Sequence, residues 1–142
     1  MTNTDTQFSN LRAAIQAEEI RWRTATEAAV EKILKHAMER ARVNTPIKTG
    51  TLRAGYRTSV KSTKRKVTGT LKNDVPYAWE NHEKLSPAGS RQLGPLSAAQ
   101  PGTPEGGVGG KFIQRVIQHH AGKYTKMLQG ELKGKISKRP RR

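Results

Sequence analysis

The stretch "NTPIKTGTLRAGYRTSV", Asn44 to Val60, decides how the chain is organised. A helical pattern stops at its start and an alternating pattern begins within it. Pro46 disfavours helical geometry at the residue before it, so the helix is expected to stop near Asn44. Thr49 and Gly50 make the turn, with Gly50 able to take a positive φ. Leu52 then enters the core of a sheet. The corner of Pro46, Thr49, Gly50 and Leu52 carries no acid and no nucleophile–base pair. It reads as a fold corner rather than a binding site.

Upstream, residues 9–43 read as one long helix. Leu11, Ile15, Trp22, Ala29, Ile33 and Ala37 recur at spacings of four or seven, and Val30, Leu34, Met38 and Ala41 widen that stripe. Ser9 or Asn10 offers an N-cap. No proline or glycine interrupts the run, and Thr24 and Thr26 mark the expected place for a break. Downstream, Leu52, Ala54, Tyr56, Thr58 and Val60 alternate with Arg53, Arg57 and Lys61. "KSTKRK" (61–66) is a basic turn, and "VTGTLKND" (67–74) alternates again, which predicts an antiparallel hairpin. "VPYAWENHE" (75–83) is expected to form a third strand or an edge segment, with Pro76 limiting its pairing.

Residues 84–110 are rich in Pro, Gly, Ser and Ala, too long for an ordinary connector. A second helix is expected over residues 111–132, with Phe112, Ile113, Val116, Ile117, Tyr124, Met127 and Leu128 on its apolar face. The expected fold is therefore α+β. A long N-terminal helix leads into an antiparallel sheet of about three to four strands, and a C-terminal helix packs on the sheet. Residues 1–132 form one domain, including the long 84–110 loop, and 133–142 form a basic C-terminal tail.

The chain has 142 residues and a formal net charge of +16. Leu, Ile, Val and Phe number only 25, a thin supply of core residues for so charged a chain. A thin core with a high charge fits a subunit completed by its neighbours. The charge is uneven: residues 44–74 hold eight basic and one acidic side chain, whereas residues 1–43 hold seven and six. No cysteine is present, so disulfides and thiolate metal sites are excluded. No apolar run approaches a membrane span. The opening "MTNTDTQFSN" has neither the basic start nor the apolar core of a signal peptide, which points to a cytoplasm or a particle assembled there.

Four histidines, His36, His82, His119 and His120, raise the question of a metal. His119 and His120 are adjacent on a helix and point to different faces, and "HE" at 82–83 lacks the second histidine of a zinc helix. "GGVGG" (106–110) lacks the Lys-Ser/Thr of a phosphate loop and reads as a flexible approach to the second helix. Glu80 and Glu83 fall in a polar turn and read as structural or subunit-contact residues. No catalytic, metal or cofactor site is predicted, and the chain is not expected to be an enzyme. The basic segments are the stronger signal. Lys61, Lys64, Arg65 and Lys66, with Lys135, Lys138, Arg139, Arg141 and Arg142, are candidate contacts to DNA or to an acidic protein surface. Aromatic residues do not interleave with them, which argues against a stacking platform for single strands.

The order of these segments is similar to that of the neck and tail-completion proteins of tailed bacteriophages. In that family a helix ends in a Thr-Pro-x-x-Thr-Gly-x-Leu corner, here "TPIKTGTL". A Tyr-Ala pair near a glutamate comes later, here Tyr77, Ala78 and Glu80. The last helix opens near an aromatic residue, here Phe112. The resemblance covers roughly residues 25–130. It departs from the pattern at Lys111-Phe112, where the family often has Pro-Phe, in the length of the 84–110 loop, and in the basic tail. It implies a structural virion protein at the head–tail junction or tail end, acting as a connector, stopper or terminator. Such a protein is made in the cytoplasm of the bacterial host and forms a hexameric or twelve-fold ring. Its partners would be other neck and tail proteins, and genomic DNA would pass through its channel. Trp22, Tyr77, Trp79, Glu80 and Phe112 are then candidate subunit or partner contacts. The alternative is a basic nucleic-acid-binding protein, which accounts for the charge but not for the Tyr-Ala-Trp-Glu segment.

Overall fold

A computed structural model describes residues 3–47, 50–85, 89 and 92–137. Helix α1 runs from Asn3 to Asn44, 42 residues without a break. At ~1.5 Å per residue it is about 60 Å long. It begins six residues before the expected Ser9 or Asn10 cap, because residues 3–8 contain no helix breaker. The expected break at Thr24 and Thr26 is absent. The Thr26 hydroxyl donates to the Trp22 carbonyl one turn back (2.8 Å), so the threonine is accommodated inside the helix.

The C-terminal end of α1 lies where the sequence places it. Helix ends leave carbonyls without intrahelical donors, and here side chains supply them. Asn44 Nδ2 donates to the Arg40 carbonyl (2.8 Å), and the Thr45 hydroxyl to that of Ala41. Arg53 reaches back with Nε to the Thr45 carbonyl (3.0 Å) and Nη2 to that of Val43 (3.3 Å). A guanidinium at this end also meets the negative pole of the helix dipole.

Gly50 takes φ +82°, as the corner requires. The chain does not pass directly from this glycine into a strand. Thr51–Ala54 make a single helical turn, α2, which buries Leu52 at 4% exposure and leaves Ala54 exposed. Strand β1 starts only at Tyr56 and runs to Ser62; β2 runs from Val67 to Asn73. They pair antiparallel from Tyr56 opposite Asn73 to Ser62 opposite Val67. The expected basic turn closes them, with Thr63 N donating to the Lys66 carbonyl at 2.8 Å. The hairpin lies on α1, and Gly69 marks the closest approach. A Cβ there would fall 2.5 Å from Val30 Cγ1.

The sheet has two strands among the described residues, not three to four. The "VPYAWENHE" segment forms a turn and then helix α3, Ala78–Lys84. Asn73 Oδ1 accepts from Val75 N (3.0 Å) and Ala78 N donates to the Val75 carbonyl (3.0 Å), which turns the chain away from the hairpin. Pro76 cannot donate to a ladder. Tyr77 and Trp79, which suggested alternation, are both exposed, and the buried residue between them is Ala78.

Within the 84–110 segment, α4 spans Pro95–Ala98. Ser97 holds it to the corner: its hydroxyl accepts from Ile47 N (2.8 Å) and donates to the Ile47 carbonyl (3.2 Å). The expected second helix is two helices, α5 (Phe112–His119) and α6 (Ala121–Ser137). The break falls at His120, whose ring is drawn to Glu105 (2.7 Å) two residues before the helix-weakening Gly122. Helix α6 continues past the expected domain boundary at 132. It packs chiefly on α1 rather than on the sheet, through His36–Tyr124 and Lys32–Glu131.

Helix α1 is thus a shared spine. Ala37 and Ala41 leave room for Leu52, Tyr56, Ala78, Phe112, Val116 and Tyr124 to close over it as one core. Full burial of a side chain such as Leu52 contributes about 1.5–3 kcal/mol. Leu52→Ala should therefore cost about 2–5 kcal/mol in a urea denaturation experiment. Leu52→Asp should leave the protein without a cooperative transition, while Ala54→Asp, two residues away and exposed, should stay within about 0.5 kcal/mol of the parent. A folded, cooperative Leu52→Asp protein would overturn this account of the corner.

Candidate functional site

The most heavily bonded polar group described is one that the sequence reading passed over. Glu105 lies in the Pro/Gly-rich segment, yet its side chain is 0% exposed. Arg40 grips it with both Nε (2.7 Å) and Nη2 (2.8 Å). His120 Nε2 lies 2.7 Å from Oε1, and Asn44 Nδ2 donates to Oε2 (3.2 Å). The Arg40 guanidinium, with His120 and Asn44, holds the carboxyl well below the usual carboxylate range, against the opposing effect of burial. Around it, Thr103 donates to Asn44 Oδ1, Gly109 N to the Asn44 carbonyl (3.2 Å) and Arg115 Nη1 to the Glu105 carbonyl (2.8 Å). The "GGVGG" run is therefore packed onto the end of α1, with Gly107, Gly109 and Gly110 buried, and is not a flexible approach. One signal in the sequence marks Glu105: it is the sole acid between Glu83 and Glu131.

His36, His82 and His120 are half-buried with partners inside the fold, whereas His119 is exposed. His36 stacks edge-on to His120 (centroids 4.9 Å) and its Nδ1 lies 3.0 Å from the Tyr124 hydroxyl. Burial, then Lys123, His120 and Arg40, lower its pKa. His82 lies 2.9 Å from Glu83. Glu83 in turn pairs with Lys111 (2.6 Å), and Lys111 then His82 lower its pKa. Lys111 itself takes φ +56° and donates its N–H to the His82 carbonyl (2.5 Å), so α3 and the start of α5 are locked together. No group of three or more His, Cys, Asp or Glu able to hold a metal occurs among the described residues.

The other candidates are spread over the fold. Pro46 and Leu52 are buried at the corner beside Gly50, whereas Thr49 lies outside the described residues. Trp22 stands on the free-running part of α1. Tyr77 at the N-cap of α3 and Trp79 within it are exposed, Trp79 at 71%, and Glu80 pairs across a turn with Lys84 (3.7 Å). Phe112 corrects the expectation of a partner contact. It is 1% exposed, edge-on to Tyr56 and His82, and belongs to the core. Its neighbours Trp79 and Ile113 instead border a cavity of about 360 Å³ that Ala78 and Phe112 line.

Lys61, Lys64, Arg65 and Lys66 are all exposed at the hairpin tip. Ser62 bonds Glu27 there, which places the tip beside the middle of α1. Lys135 is on α6, while Lys138, Arg139, Arg141 and Arg142 lie outside the described residues.

The sequence reading also missed the true state of the N-terminal stripe. Phe8, Leu11, Ile15, Ile20 and Trp22 are exposed, and only from Ala25 onward does the stripe enter the core. The hairpin, α5 and α6 cover the later part of α1, and residues 4–24 of the helix project beyond them.

Glu105→Gln keeps the shape of the side chain and removes its charge. It should cost about 2–3 kcal/mol, since the network loses its negative charge and one of two acceptor oxygens, and an amide NH2 then faces its donors. The pH dependence has a definite sign. The folded carboxyl is more acidic than its ordinary value of 4.5, so the unfolded chain binds the proton more readily. The contribution is complete above that value and is lost as pH falls below it. Thermal melts from pH 7 to pH 3 should show a shallower acid loss in Glu105→Gln than in the parent, and identical slopes would refute the clamp.

No family model, no curated protein and no solved structure matches this chain.

Proposed function

We propose that the protein is a non-enzymatic structural component of a tailed bacteriophage particle, a ring-forming neck or tail-completion subunit that joins the tail to the DNA-filled head. One observation carries the reading beyond the sequence resemblance. About half of a 42-residue helix projects from the fold with its apolar side chains exposed, the surface of a subunit whose core is completed by neighbours. The remaining support is the order of the segments in the sequence itself: helix, corner, hairpin, the Tyr77-Ala78-Trp79-Glu80 segment and the terminal helical stretch. The work is mechanical. Binding surfaces hold successive proteins of the neck in register and seal the joint, and no turnover is involved.

Among the described residues no helix is long and apolar enough to cross a membrane. Under the proposed reading, the exposed basic hairpin tip faces either a neighbouring acidic protein or the passing genome. The same tip favours a second reading, a protein that binds nucleic acid through phosphate contacts.

Disrupting the gene in the phage that encodes this chain should yield filled heads and tails that fail to join, and the protein supplied in trans should restore tailed particles. Purified virions should contain the protein in a fixed number of copies. Its absence from virions, together with tight binding to free duplex that weakens steeply between 50 and 200 mM salt (by about 10³-fold or more for six phosphate contacts), would replace the neck reading with the second one.

A further inference from the structure

Two of the apolar surfaces outside the core lie toward opposite ends of α1. Near the N-terminus, Phe8, Leu11 and Ile15 are 63%, 56% and 51% exposed. Their spacing of i, i+3 and i+7 is that of the anchors on a helix that lies in a groove. Toward the other end, Trp79 is the most exposed large apolar residue, and it borders the cavity of about 360 Å³ lined by Ala78, Phe112 and Ile113. Tryptophan beside a pocket is the residue type that most often dominates an interface.

A chain cannot bring these two surfaces together within itself. Ala78 and Phe112 pack in one cluster with Ala37 and Ala41. The uninterrupted helix therefore holds Ile15 roughly 30 Å or more from its own groove. We propose that the N-terminal part of α1 from one copy docks in the Trp79 groove of a second copy. Such a contact joins two different patches, so it is head-to-tail and propagates into a ring when the rotation closes. This proposal deepens the ring reading and rests on it for biological context only.

The charges favour this occupant. In a chain of net +16, copies repel one another over most of their surface. Residues 1–24 are an exception, with three basic and three acidic side chains, and the stretch around Trp79, residues 75–84, is another, with one basic and two acidic. The stripe and the groove fall in these two stretches. Arg12 borders the stripe beside Leu11 and Ile15, and Glu80 is exposed next to Trp79. Docking brings opposite charges to the rim and keeps the basic hairpin tip out of the contact.

The test uses the full chain and two variants, Leu11→Asp in the stripe and Trp79→Asp in the groove, with circular dichroism to establish that each folds. Trp79→Ser replaces the second variant if the aspartate does not fold. Light scattering after gel filtration at 150 mM and 1 M salt should give an oligomer for the parent and a monomer for each variant. Mixed in equal amounts, the variants should form dimers and nothing larger, because one copy keeps an intact stripe and the other an intact groove. A monomeric parent at every concentration overturns the proposal. So does an oligomer that survives the groove substitution, which would mean that the stripe pairs with itself, and so does a mixture that stays monomeric. Failure here is distinct from failure of the neck reading: a protein present in virions yet monomeric in solution loses this contact alone, and a head-to-tail oligomer absent from virions loses the neck alone.

Discussion

The buried carboxylate of Glu105 organises the half of the molecule that surrounds it. Sequestering a charge from water is costly, and a bidentate arginine with two further polar partners is the kind of arrangement that offsets the cost. The partners come from separate pieces of the fold. Arg40 and Asn44 are in the last turns of α1, and His120 is the hinge between α5 and α6. The segment that carries Glu105 is otherwise proline, glycine and small polar residues with little apolar surface to bury. Its position is set by polar bonds, and it delivers Phe112 into the core at its far end. The break at His120 then allows α6 to run back along α1.

Local chemistry made part of this fold legible. Pro46 and Gly50 act through their own backbones, so the end of α1 and the left-handed turn come directly from residue type. The hairpin is readable because Tyr56, Val60, Val67 and Leu71 keep a period of two across a basic turn. Two features are not readable from pattern. Val75, Tyr77 and Trp79 have the spacing of a strand, but that spacing presupposes that the apolar residues are the buried ones. Here the Asn73 side chain turns the chain first, and the small Ala78 takes the core. The stripe of α1 likewise has the pattern of core along its whole length. Periodicity identifies an apolar face without revealing whether anything in the same chain is long enough to cover it.

Candidate contact residues divide by the same logic. Tyr77 and Trp79 are on the surface, where a partner can reach them, because α3 spends its buried position on alanine. Phe112 stands beside them only as a candidate contact, yet it is the largest fully buried side chain among the described residues. Its importance is indirect: it forms the floor beneath an exposed tryptophan. The clamp residues carry no signal in the sequence as a group because each is ordinary alone. Arg40, Asn44, Glu105 and His120 are scattered along the chain and become a unit only when the corner and the Gly-rich segment return to α1.

The small size of the sheet has a consequence for how copies of this protein meet. A two-stranded ribbon has two open edges, each a row of backbone donors and acceptors that another strand could extend. At high concentration of the protein, that is a route to fibres. Here the ribbon carries Arg57, Lys61 and Lys72 on the face away from α1, with Lys64, Arg65 and Lys66 at the tip. Adding a second ribbon alongside the first would set like charges against each other along its length. The cationic hairpin thereby opposes strand-by-strand growth from either edge of the ribbon.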